Sequence, residues 1–115
     1  MSSNTRRIGV PGPAGRLECA VEAPAEGVRG VAVICHPHPQ HGGTMDNTVV
    51  QTLARALRQI GYRTVRFNFR GVGASQGQWD EGRGEVDDAL AVIEAQREPG
   101  LPLVLAGFSF GGYVA

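Results

Sequence analysis

Apolar and polar residues fall along this chain in blocks whose period changes from two to between three and four. Residues 6–10 (RRIGV) and 16–22 (RLECAVE) flank the turn-forming run Pro11-Gly12-Pro13-Ala14-Gly15, which predicts two short strands joined as a hairpin or ribbon. After a second turn around Pro24 to Gly27, Gly30-Val31-Ala32-Val33-Ile34-Cys35 is a continuous β-branched block, as expected of a strand covered on both faces. It stops abruptly at His36-Pro37. Asp46 or Asn47 can then cap a helix whose residues Val49, Val50, Leu53, Leu57 and Ile60 recur at helical spacing, with Gly61 closing it in the left-handed conformation. Arg63 to Phe69 alternates like a strand. A glycine-rich stretch from Gly71 to Gly84 follows, and Glu85 to Arg97 then carries Val86, Leu90 and Ile93 on one helical face up to Pro99-Gly100. Leu101 to Ala106 is a further apolar strand, running directly into Gly107-Phe108-Ser109-Phe110-Gly111-Gly112. Strand, helix, strand, helix, strand is the order of a mostly parallel α/β sheet with flanking helices.

With 115 residues, the chain has room for a single domain spanning 1–115. Its 42% hydrophobic and 19% charged residues are enough for a core and too little charge for a disordered chain. Eleven basic residues balance eleven acidic ones, so the expected partners include neither nucleic acid nor a membrane. All eleven basic residues are arginine. That excludes a lysine Schiff base and the phosphate-gripping lysine of a P-loop, and no cofactor is expected. The N-terminus is polar and basic without a signal-length apolar run, which predicts a cytoplasmic protein. Cys19 and Cys35 lie in strand-like segments without CxxC spacing and are expected to be reduced, half-buried thiols.

Two clusters can carry chemistry. Gly107-Phe108-Ser109-Phe110-Gly111 matches GxSxG, the nucleophile elbow, at the end of an expected buried strand. The glycines are needed because a side chain at 107 or 111 would collide with a neighbouring element as the chain reverses. Cys35-His36-Pro37-His38-Pro39-Gln40-His41-Gly42-Gly43-Thr44-Met45 follows an earlier strand and suits an oxyanion hole. Pro37 and Pro39 have no N–H, so the loop's donor is His38, with Gln40 as the fallback. Phe110, the residue after the serine, supplies the second N–H. His36-x-His38-x-Gln40-His41 also has the spacing of the HxHxDH motif of metallo-β-lactamase-fold hydrolases. Gln40 stands where the second metal needs an aspartate, however, and no later histidine completes the set, so no metal is expected. Gly71-Val72-Gly73-Ala74-Ser75-Gln76-Gly77 has GxGxxxG spacing and not the GxGxxG of a dinucleotide loop. The acids Asp80, Glu81, Glu85, Asp87 and Asp88 are expected to serve the start of the second helix structurally.

Taken together, CHPHPQHGGTMDNTVV, RFNFRGVGASQGQWDEGRGE and LAGFSFGGYVA resemble the small, cap-poor bacterial α/β hydrolases, including those related to dienelactone hydrolase and to short acyl-peptidase-like hydrolases. The resemblance runs from about residue 17 to the last residue. It implies that the strand at 30–35 lies between those at 63–69 and 101–106, so that the HPHP loop and Ser109 meet where open α/β sheets bind ligands. It implies Ser109 as nucleophile, the amides of His38 and Phe110 as oxyanion donors, and His36, Gln40, Arg70 and Gly71 at the pocket rim. The expected activity is hydrolysis of a small ester, thioester or amide.

In this family the acid and histidine of the triad follow the elbow, whereas only six residues follow Ser109 here. The chain is therefore expected to be the N-terminal half of a protein of about 200 residues, truncated after the elbow and inactive alone. The last apolar strand would then be an exposed edge open to homo-oligomer formation. The alternative is a non-catalytic module of the same fold that binds or assembles with a partner.

Overall fold

Six consecutive buried residues make β3 (Gly30–Cys35) the centre of the molecule. The computed structural model describes residues 5–107 together with Gly111 and Val114. Their elements run β1 (Arg6–Gly12), β2 (Gly15–Glu22), β3, a 3-10 turn (Pro39–His41), α1 (Thr48–Gln59), β4 (Tyr62–Phe67), α2 (Arg83–Gln96) and β5 (Leu103–Gly107). The sheet order is β1-β2-β4-β3-β5. β3 pairs in parallel with β4 on one side and with β5 on the other, as the resemblance implied, while β2 runs antiparallel to both β1 and β4. Four of the five strands thus point the same way, and β2 is the exception.

Alternation along β3 sends its side chains to two cores. Val31, Val33 and Cys35 join Val65, Phe67, Phe69 and the hairpin residues Val10, Leu17, Cys19 and Val21 beneath Ala89, Val92 and Ile93 of α2. Ile34 faces the other way, against Val50 and Ala54 of α1 with Leu53 and Leu57 beside them. β3 is therefore covered on both faces, which is why it reads as an unbroken apolar run. Both cysteines are fully buried, not half-buried, and free. Burial pushes their thiols up to about 12, so neither is a nucleophile.

Asn47 caps α1: its side-chain oxygen accepts from the amides of Val49 at 2.9 Å and Val50 at 3.3 Å. Gly61, at φ +98°, closes the helix as expected, donating to the Arg58 carbonyl. Val49 and Ile60, expected on its apolar face, are exposed, and the small Ala54 fills the contact instead. α2 departs further. Its buried face is Glu85, Asp88, Ala89, Val92 and Ile93, whereas Leu90 is 55% exposed. Ile93 is in the core and Val86 packs against it as expected, so Leu90 is the exception, and two carboxylates occupy inner positions that the apolar pattern does not indicate.

β4 ends at Phe67, two residues before the expected end. Its last rung with β3 is Ile34↔Arg66, after which the two chains separate. β5 starts at Leu103 and ends at Gly107, which pairs with Cys35. Gly111 is helical.

Candidate active site

β3, β4 and β5 are parallel and end on one side of the sheet, where the loops after β3 and β4 form the described part of the candidate site. His36 is the first residue beyond β3. Its ring is wholly buried, edge-on to Phe69 with centroids 4.7 Å apart. Nε2 accepts the Phe69 amide at 3.1 Å, so the proton is on Nδ1, which donates to the Pro37 carbonyl at 2.7 Å. His36 is thus a tether between the loops after β3 and β4, and its expected place at the pocket rim is corrected: a ring with no exposure and both nitrogens engaged offers nothing to a ligand. The same engagement removes it from the metal-binding reading. Among the described residues no group of three His, Cys, Asp or Glu side chains is arranged to hold a metal.

Burial lowers the His36 pKa to about 4 from an ordinary 6.5. Above pH 6.5 both folded and unfolded chains are neutral here. As pH falls from 6.5 towards 4, the unfolded chain takes up a proton that the folded one refuses, so stability drops through that window and the drop levels off below it. The total is about 3 kcal/mol for a shift of this size. Urea unfolding of the protein and of His36→Gln at pH 7, 5.5 and 4 should show the steeper loss in the unmodified protein; parallel profiles would assign the acid sensitivity to other groups.

His38 stands half-buried just before the 3-10 turn and caps it. Its Nδ1 accepts the Gln40 amide at 3.1 Å, and its carbonyl accepts the Gly43 amide at 3.0 Å. The Gln40 N–H is thereby committed to a side chain, which corrects its reading as the fallback oxyanion donor; the residue itself is exposed. Gly43 is required: a Cβ there would overlap the carbonyls of Pro37 and His38, so the loop closes on itself only with glycine. The His38 ring lies against Trp79, with centroids 4.7 Å apart and planes tilted by 41°.

Sequence reasoning missed what holds this loop from below. Asn68, just past β4, accepts the Met45 amide through Oδ1 at 2.9 Å and donates through Nδ2 to Glu18 at 2.8 Å. Arg66 reaches the Met45 carbonyl at 2.8 Å and Asp46 at 3.0 Å, with Glu22 behind it at 3.5 Å. Met45 is thus held at its amide by Asn68 and at its carbonyl by Arg66. A polar Asn between two phenylalanines in RFNFRG was the available signal, since a buried amide side chain needs specific partners.

Arg70 and Gly71 were also expected at the rim. Arg70 instead turns its guanidinium towards α2, gripping Asp88 through Nε and Nη2 at 2.9–3.2 Å and the Gly84 carbonyl at 2.8 Å. Its own amide also donates to Asp88. The hydrogen bonds to Asp88 raise the Arg70 pKa, so the guanidinium stays charged. Arg70 is a clamp and not a rim residue. Gly71, exposed at φ +76°, begins a loop whose amides are used internally: Gly71 donates to Gln76, Ser75 to Val72, and Gln76 to Arg16. The Ser75 hydroxyl donates to the Asn68 carbonyl and accepts from Glu18, and the Ala74 amide points at the Glu18 carboxylate. A loop with its amides turned to protein acceptors does not cradle a phosphate. Glu85 completes α2 by accepting from Asp80 and Gly82, each at 2.9 Å, the structural duty expected of these acids.

A Cβ on Gly111 would overlap the carbonyls of Cys35 and His36, so Gly111 lies directly on the end of β3. Ser109 and Phe110, the expected nucleophile and oxyanion donor, lie outside the described residues, as does the side chain of His41.

Comparison with known proteins gives concordant relatives. A family model described as serine aminopeptidase, S33 matches residues 27–115. Among solved structures, a lidless α/β serine hydrolase from Xanthomonas campestris superposes with a TM-score of 0.89 at 46% identity, covering 99% of this chain and 55% of that one. An α/β serine hydrolase homologue from Coxiella burnetii gives 0.87 at 49% identity, with 99% and 55% covered. An uncharacterized protein from Rickettsia prowazekii is 41% identical over 107 residues, 90% of this chain and 45% of that protein. The chain spans about half the length of these relatives. No helix among the described residues is long and apolar enough to cross a membrane.

Proposed function

The chain belongs to the serine aminopeptidase S33 family of α/β serine hydrolases, and from that premise we propose that it forms the nucleophile half of an enzyme hydrolysing small esters, thioesters or amides. Ser109 attacks the acyl carbonyl, its hydroxyl proton passing to a histidine base, and the carbonyl oxygen becomes an alkoxide held by the amides of His38 and Phe110. Collapse expels the alcohol, thiol or amine, which takes the proton from the base, and water then releases the acyl group by the same steps in reverse. The base and its orienting acid follow the elbow in the chain order of this fold's triad. His36 does not supply the base, because both its nitrogens are engaged.

The observation that carries this reading is the contact of Gly111 with the Cys35 and His36 carbonyls. Ser109 is two residues from Gly107, which pairs with Cys35, and two from Gly111. The two residues that flank Phe108-Ser109-Phe110 therefore both lie at the end of β3, where the HPHP loop starts. A fluorophosphonate probe should label the whole protein and fail to label Ser109→Ala. Absence of labelling in the unmodified protein would favour a non-catalytic module of this fold.

A further inference from the structure

Trp79 faces the loop that would hold the oxyanion, and it does so from a rigid support. On its C-terminal side, the amides of Asp80 and Gly82 both donate to Glu85, whose side chain is fully buried on α2. On its N-terminal side, Gly71 and Gln76 close the preceding loop, and Arg70 ties that loop to Asp88 and Gly84. Between these anchors the half-buried indole rests against the His38 imidazole at 4.7 Å. The imidazole is fixed in its turn, with Nδ1 accepting from Gln40.

Polar groups nearby are turned towards protein partners: Glu85 towards two amides, Arg70 towards Asp88, the Gln40 amide towards His38. Beside the HPHP loop the two half-buried rings stand together, supported from both sides. Rigid ring faces favour a substrate group that gains by leaving water and needs no hydrogen-bond partner.

We propose that Trp79 is a specificity-determining residue, forming with the His38 ring an apolar wall that selects substrates bearing an apolar group beside the scissile carbonyl. This rests on the serine-hydrolase reading above and names the substrate class for that site. The apolar group belongs either to the acyl chain or to the alcohol.

The test uses the whole protein and two ester series. One holds p-nitrophenol constant and lengthens the acyl group from acetate through butyrate to octanoate; the other holds butyrate constant and changes the alcohol from methyl to phenyl. In Trp79→Ala, the preference in kcat/KM for the more apolar member should fall about tenfold in one series, and Trp79→Phe should retain most of it. The series that changes identifies the group that meets the wall. Should Trp79→Ala not fold, Trp79→Leu against Trp79→Gln gives the same comparison, with the preference kept by leucine and lost with glutamine. Equal losses across both series, or no change in either preference, would overturn the proposal. Fluorophosphonate labelling of Ser109 in the same variants separates this outcome from failure of the nucleophile assignment, since a protein that labels but shows no altered preference rejects the wall alone.

Discussion

Ser109→Ala in the whole protein is expected to lower kcat for a p-nitrophenyl ester by about 10⁴-fold or more, with KM little changed. The size follows from how the parts act together. Without the hydroxyl no acyl-enzyme forms, and a histidine base has nothing to deprotonate except water, which is not held in line with the carbonyl. The oxyanion amides remain, so a residual rate above that in water should persist. Loss of His38 contacts would act differently. Pro37, His38 and Gly43 form a closed loop through the Gly43 to His38 hydrogen bond, so disturbing that loop should weaken oxyanion binding and leave the nucleophile available to a phosphonate. A Ser109→Ala protein that turns over the ester as fast as the unmodified one would remove the nucleophile assignment altogether.

Asp88→Ala carries the largest expected effect on the fold, about 3–5 kcal/mol, the usual result of removing one partner from a buried ion pair. Asp88 has no exposed surface and the Arg70 side chain retains only 11%. Without the carboxylate, the guanidinium keeps the Gly84 carbonyl alone, and the Arg70 amide loses its acceptor. The break falls at the junction of the loop after β4 with α2, so the segment bearing Trp79 loosens with it. Urea denaturation should show a lowered midpoint. The double variant Arg70→Met with Asp88→Leu should recover most of the loss, because two apolar side chains of similar volume leave no unpaired charge. If Asp88→Ala unfolds at the same urea concentration as the unmodified protein, the clamp contributes nothing to stability.

These two effects mark where the sequence is legible and where it is not. β3 reads correctly to the residue because burial on both faces writes an unbroken apolar run, and α1 reads correctly at both ends because Asn47 and Gly61 have specific backbone duties. Glycine at 111 announces a close approach, which it makes, whereas the approach made by Gly43 is seen only in the structure. The inner face of α2 is hidden. Glu85 and Asp88 look like solvent-facing residues until their partners, the Asp80 and Gly82 amides and Arg70, are known. The end of β4 is hidden for a related reason: Asn68 and Phe69 continue the alternation of a strand, yet their backbone and side chains are taken by Glu18, Met45 and His36. Arg70 and His36 resembled site residues by position, and only their engaged polar atoms identify them as structural. Periodicity reports burial, and partners distant in the sequence report what a polar side chain is for.

The central claim is that the HPHP loop and the elbow meet to form one acyl-transfer site. Its most direct test is a crystal structure of the whole protein inactivated by a small alkyl phosphonate. Phosphorus should be bonded to Ser109 Oγ, with the phosphonyl oxygen about 2.7–3.1 Å from the amide nitrogens of both His38 and Phe110. A phosphonate on another residue, or one on Ser109 whose oxygen is held by donors other than these two amides, would contradict it.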